Sequence, residues 1–137
     1  MTSYEFVGWT LNNTTAVSAI TGTRNYHGLR ARSSVLPSTN YQELGGGSRF
    51  YGYERQPYTI LCRADTPAGA RDLARVVTTA MAGSAGTGIH GRNNGFTLDF
   101  GTLIADQGLI PEELADGKTI YNAPIDVQLV YAVSTVS

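Results

Sequence analysis

The chain holds one cysteine, one tryptophan and one lysine in 137 residues, and only 15% of it is charged. With Cys62 alone, an intrachain disulfide and a cysteine-based metal cluster are both excluded. Soluble domains usually carry about 25% charged residues, so Ser, Thr, Asn, Gly and Tyr must cover much of this surface. Such a polar, weakly charged coat suits a protein partly covered by neighbours. The net charge of −1 leaves no overall electrostatic footprint for nucleic acid or an acidic membrane. No apolar run approaches the ~20 residues that cross a bilayer. The N-terminal stretch from Met1 to Thr15 lacks a basic leader followed by an apolar core, which predicts a protein without a signal peptide, made in the cytoplasm.

The length fits one domain spanning 1–137, and a hydrophobic share of 42% is enough to bury a core without metals or crosslinks. Charge is uneven along it. Residues 1–92 carry nine arginines against five acids, a net +4, while residues 93–137 carry Lys118 against six acids, a net −5. Opposite signs on two parts of a chain favour head-to-tail self-contact, unless the two sets intermix on one surface.

Ser3 is expected to cap a first helix running to about Asn12, with Tyr4, Val7 and Leu11 on one face and Phe6 and Trp9 beside it. Thr14 or Thr15 restarts it, bringing Val17 and Ile20 together before Thr21-Gly22 ends it. Extended pieces follow at Asn25 to Leu29 and Thr39 to Leu44, and Gly45-Gly46-Gly47 breaks the second. Arg49 to Glu54 reads as a strand edge or mobile hairpin because of Gly52. Pro57 to Ala64 alternates cleanly, with Tyr58, Ile60 and Cys62 facing one way.

Thr66 before Pro67 marks a helix start, and Ala70, Leu73, Ala74, Val77, Ala80 and Met81 recur at helical spacing until Gly83, which predicts a helix over 67–82. Residues 83–95 read as a glycine-heavy connection, Phe96 to Ile104 as a strand, and Pro111 to Leu114 as at most one helical turn with acids at its start. A last strand from Asn122 to Val133 puts Ile125, Val127, Leu129, Tyr131 and Val133 on one face. The order predicts an α+β fold, a helix packed across a mixed, mainly antiparallel β-sheet as a single pair of layers.

Chemistry-bearing groups are few. Cys62 with His27 or His90 is the one nucleophile–base pairing available, yet the strand pattern buries Cys62 with Tyr58 and Ile60 as a small apolar side chain. Neither histidine has a second one at metal-ligand spacing. The run Gly83 to Gly88 follows a helix rather than a strand and lacks a Gly-Lys-Ser/Thr ending, which argues against a phosphate loop. Glu112, Glu113 and Asp116 imitate a carboxylate pair, but a solvated helix start accounts for them. Nothing points to an enzyme or to a cofactor. Arg24, Arg30 and Arg32 beside Tyr26 suit a protein interface better than a phosphate contact. Arg49, Phe50, Tyr51 and Tyr53 follow a flexible glycine base and are costly to leave in water, so they dock on their own domain or on a neighbouring subunit. The candidate subunit interface is therefore Arg30, Arg32, Arg49, Phe50, Tyr51 and Tyr53.

The layout as a whole resembles a known family. The N-terminal helix, Ala16 to Tyr26, the proline-bearing link into Tyr41-Gln42-Glu43-Leu44, the strand-to-helix passage Tyr58 to Ala74 and the alternating final strand are similar to the tail-terminator, tail-completion or tail-to-head joining proteins of long-tailed bacteriophages. The resemblance covers most of the chain, with residues 83–124 longer and richer in glycine than the pattern. It implies a ring-forming subunit, a hexamer, that caps the tail tube and joins it to the head connector in the virion, with DNA passing through the lumen without specific binding. A head–tail connector or tail-tube subunit is the alternative within virion assembly; a small Cys62-dependent enzyme is the alternative outside it.

Overall fold

A computed structural model describes residues 2–28, 35–83, 89–93 and 96–132. Its elements are α1 (Ser3–Asn13), α2 (Thr15–Thr21), β1 (Asn25–His27), β2 (Ser38–Glu43), β3 (Ser48–Phe50), β4 (Tyr53–Ala64), α3 (Pro67–Ala82), β5 (Ile89–Asn93), β6 (Phe96–Asp106), β7 (Ile110–Glu113) and β8 (Thr119–Ala132). The strands form one sheet in the order β1-β2-β4-β8-β6-β5, with β3 alongside β4 and β7 alongside β8. Only the β1–β2 pairing is parallel among the described residues. The fold is α+β, three helices on a mixed and mainly antiparallel sheet.

The sheet is built on β4 and β8, which pair from Tyr53↔Ala132 to Ala64↔Tyr121. Both strands contain a proline, which removes a ladder donor. Pro57 lies between the end of β2 and the start of β3, and its carbonyl accepts from Leu44 N–H. Pro124 lies where β8 changes partner from β7 to β6, and its carbonyl accepts from Gln107 N–H. Each missing N–H therefore points at a gap between neighbouring strands.

On β4 and β8, Tyr58, Ile60, Cys62, Ile125, Val127, Leu129 and Tyr131 share the face that the helices cover, and all are buried. α3 supplies Ala70, Leu73, Ala74, Val77 and Met81 to that seam. Thr66 caps it by accepting from Gly69 N–H at 3.0 Å. Phe6 of α1 stacks on Phe96 at 4.6 Å, and Phe96 meets Tyr131 at 5.0 Å, so an aromatic chain ties α1 to β6 and β8. Gly8 lets α1 approach the sheet: a Cβ there would run into the Tyr41 hydroxyl.

The helix over 67–82 has the bounds its periodicity predicts. Elsewhere the sequence-based expectations need correction. Thr2 rather than Ser3 caps α1, its hydroxyl accepting from Glu5 N–H. Pro111 to Leu114 is not a helical turn: Ile110–Glu113 is β7, held by its ladder to β8, and a tertiary partner overrides the local preference. The connection over 83–95 contains β5, paired with β6 from Asn93↔Phe96 to Ile89↔Gly101. The strand expected from Pro57 begins at Tyr53, because the hairpin with β3 extends it. Arg30, Arg32 and Val133 lie outside the described residues.

Leu73 is fully buried in the helix–sheet seam. Leu73→Asp places an unpaired carboxylate there and is expected to cost about 4 kcal/mol or more, enough to abolish a cooperative melt; a normal melting curve would show that the seam is wrongly placed. Gly8→Ala is expected to lower stability by about 1–3 kcal/mol through overpacking. Tyr41→Phe, lacking the obstructing hydroxyl, should restore part of that loss in the double variant, as measured by denaturant unfolding.

Candidate functional site

The nucleophile–base pairing does not assemble. Cys62 is fully buried under the helices, and its Sγ lies 3.9 Å from the Ile60 carbonyl oxygen. Burial pushes its thiol well above the ordinary value, with the Asp106 charge adding to the shift, which is the reverse of what a reactive thiolate needs. His27 stands at the β1 edge instead. It stacks between Tyr4 at 4.4 Å and Tyr41 at 5.4 Å, and its Nε2 lies 2.6 Å from Glu43 Oε1. Those contacts fasten α1 to the edge of the sheet. His90 falls on β5. Among the described residues no three His, Cys, Asp or Glu side chains are gathered to hold a metal.

The carboxylates that imitate a catalytic pair are separated. Successive residues of a strand point to opposite faces, so Glu112 and Glu113 face away from each other. Glu112 accepts from Asn122 Nδ2 at 3.1 Å and lies 3.8 Å from the guanidinium of Arg63, which is only 2% exposed. Arg63 Nε donates to Asn122 Oδ1 at 3.3 Å, so an arginine on β4 is tied through β8 to an acid on β7. Asp116 accepts from Lys118 N–H and shapes the β7–β8 turn. The glycine run Ser84 to Gly88 lies outside the described residues. Arg24 is also absorbed structurally, donating to the carbonyls of Pro37 and Ile20.

What the fold leaves available is surface. No helix covers the second face of the sheet among the described residues. Across its middle, Asp126 accepts from the Thr59 hydroxyl at 2.7 Å and from Gln107 Nε2 at 3.0 and 3.1 Å. A shallow depression of about 300 Å³ beside that cluster is lined by Asn40, Gln42, Leu44, Thr59, Leu61 and Pro124. On this face the charged side chains Asp126, Arg63 and Glu112 are engaged with Thr59, Gln107 and Asn122.

The β3–β4 hairpin carries Arg49, Phe50, Tyr51 and Tyr53, with Arg49 beside Glu54 and Phe50 beside Tyr53 on the other face. Phe50 stacks on Tyr53 at 6.0 Å, and the Arg55 guanidinium sits 4.8 Å over the Phe50 ring. Phe50 and Tyr53 thus dock partly on their own strand pair. Tyr51 does not: it is 99% exposed at the tip. With Gly52 it forms a two-residue turn with both φ positive, 47° and 82°. Such turns prefer Asn-Gly, because a bulky side chain at positive φ is strained.

Sequence reasoning missed a groove on the opposite edge. A hollow of about 430 Å³ opens between α3 and the β6–β7 region. Ala74, Leu103, Leu109 and Ala123 form its floor, and Arg71, Arg75 and Asp106 stand around it. The signal was present in part: Arg71 and Arg75 are four residues apart on one helix face. The sheet-side wall could not be foreseen without the strand order. That order also separates charge, since residues 96–118 along the β6–β7 edge carry five acids against Lys118.

No family model matches the chain, and no curated protein matches it. Among solved structures, a chain from the virion of a native gene transfer agent particle has the same fold, with a TM-score of 0.61 over 92% of each chain at 14% sequence identity.

Native Cys62 is expected to resist alkylation until the protein unfolds, while rapid labelling of the folded form would restore the thiol as a candidate nucleophile. Stability should also fall in alkali. The folded thiol is raised above its ordinary value of 9, so the unfolded chain releases that proton first. The contribution is therefore complete below pH 9 and lost progressively above it. Cys62→Ala should flatten that alkaline decline in denaturant midpoints measured against pH.

Proposed function

We propose that the chain is a structural virion subunit, a tail terminator whose copies close into a ring, a hexamer, over the tail tube and join it to the head connector. The observation that carries this reading is the shared fold with a chain of a gene transfer agent virion, which runs through 92% of both chains. The surface supports it. One face of the sheet is occupied by helices, while among the described residues the β3–β4 tip and the part of the second face around Thr59, Asp126 and Gln107 remain accessible to neighbours. A closed ring of heterologous contacts needs two different patches on each subunit. The aromatic hairpin and the α3 groove, on opposite edges, meet that requirement. On the second face Asp126, Arg63 and Glu112 are held in hydrogen-bonded clusters of mixed sign, which would let DNA slide past, since tight phosphate contact requires clustered cations.

Native mass spectrometry and particle imaging test the proposal. The expected result is one closed ring of defined copy number that binds the end of a tail tube. Open-ended stacks of rings would identify a tube subunit instead, and binding to the head connector without the tube would identify a connector. A strict monomer at the highest attainable concentration would overturn all three assembly readings.

A further inference from the structure

The tip of the β3–β4 hairpin carries a residue that its own backbone disfavours. Tyr51 sits at a φ of 47°, where Asn would be the relaxed choice, and its ring touches solvent almost entirely. Among the described residues nothing packs on the ring, and strain of this kind commonly marks a position held by function. Beside it, Arg49 is 70% exposed and only loosely tied to Glu54, at 3.9 Å.

The α3 groove has the complementary chemistry. Its apolar floor suits a ring, Arg71 and Arg75 offer guanidinium groups to the ring face, and the exposed Asp106 carboxylate offers a partner for Arg49. Position agrees as well. The hairpin lies on the β2 side of β4, at the end where β4 begins, whereas the groove lies on the β6 side of β8 towards the other end. A subunit cannot fill its own groove with its own tip, but a row of copies can.

We propose that the β3–β4 hairpin of one copy seats Tyr51 in the groove between α3 and β6 of the next copy, with Arg49 against Asp106. The inference rests on the self-assembly reading and names the contact that drives it.

Tyr51→Asn separates this contact from folding. It relaxes the turn, so the subunit should melt at an unchanged or higher temperature, while its self-association weakens roughly tenfold or more, as for a buried aromatic anchor. Asp106→Arg should weaken association too, and Arg49→Asp in the same chain should restore it by exchanging the charges. For direct contact, Tyr51→Cys and Thr79→Cys proteins are mixed under mild oxidation; buried Cys62 stays silent, and a disulfide-linked dimer should form only in the mixture. Full-strength assembly of Tyr51→Asn with no 51–79 crosslink would overturn this contact while leaving self-assembly intact. Loss of binding to another virion protein alone would also overturn it, by assigning the tip to that partner. A strictly monomeric unaltered chain would overturn both the contact and the reading beneath it.

Discussion

The register between β4 and β8 bears the rest of the structure. Their ladder runs unbroken from Tyr53↔Ala132 to Ala64↔Tyr121, and every other strand attaches to it directly or through one neighbour. A slip of one residue would exchange the faces, sending Tyr58, Ile60 and Cys62 away from the helices and Thr59, Leu61 and Arg63 into the core. Burial of the first set against α3 forbids that exchange. So does the Arg63–Asn122–Glu112 cluster, which places a nearly fully buried cation on the second face, beside its partners. The same register sets the two prolines at the gaps between flanking strands.

The helices occupy one face of the sheet, and the α3 groove opens at their margin. Cys62, the natural candidate for covalent chemistry, is buried in that core, and the three suspect acids are divided between faces and turns. What the architecture offers is a hairpin tip at one edge and a groove at the other, a disposition suited to repeated contact with identical subunits. Tyr51 is the point where local preference and the observed backbone conflict, and such conflicts commonly mark positions held by function rather than by folding.

The shared fold with a virion chain at 14% identity shows that this arrangement does not depend on particular residues. In this chain the fold is carried by pattern: alternation in the long strands, a capped amphipathic helix after the first of them, and a small residue where α1 meets the sheet.

The sequence by itself determined the elements whose signals are local. Thr66-Pro67 and the spacing from Ala70 to Met81 specify α3 within a few turns of chain, and alternation from Tyr58 to Ala64 and from Ile125 to Tyr131 specifies the two central strands. The aromatic hairpin was legible for the same reason. Only the tertiary structure decided that Ile110–Glu113 is a strand, that Ile89–Asn93 pairs with β6, and that Arg71, Arg75, Leu103, Asp106 and Leu109 border one groove. Those outcomes rest on hydrogen bonds and contacts between segments far apart in the chain, which no short window of residues encodes.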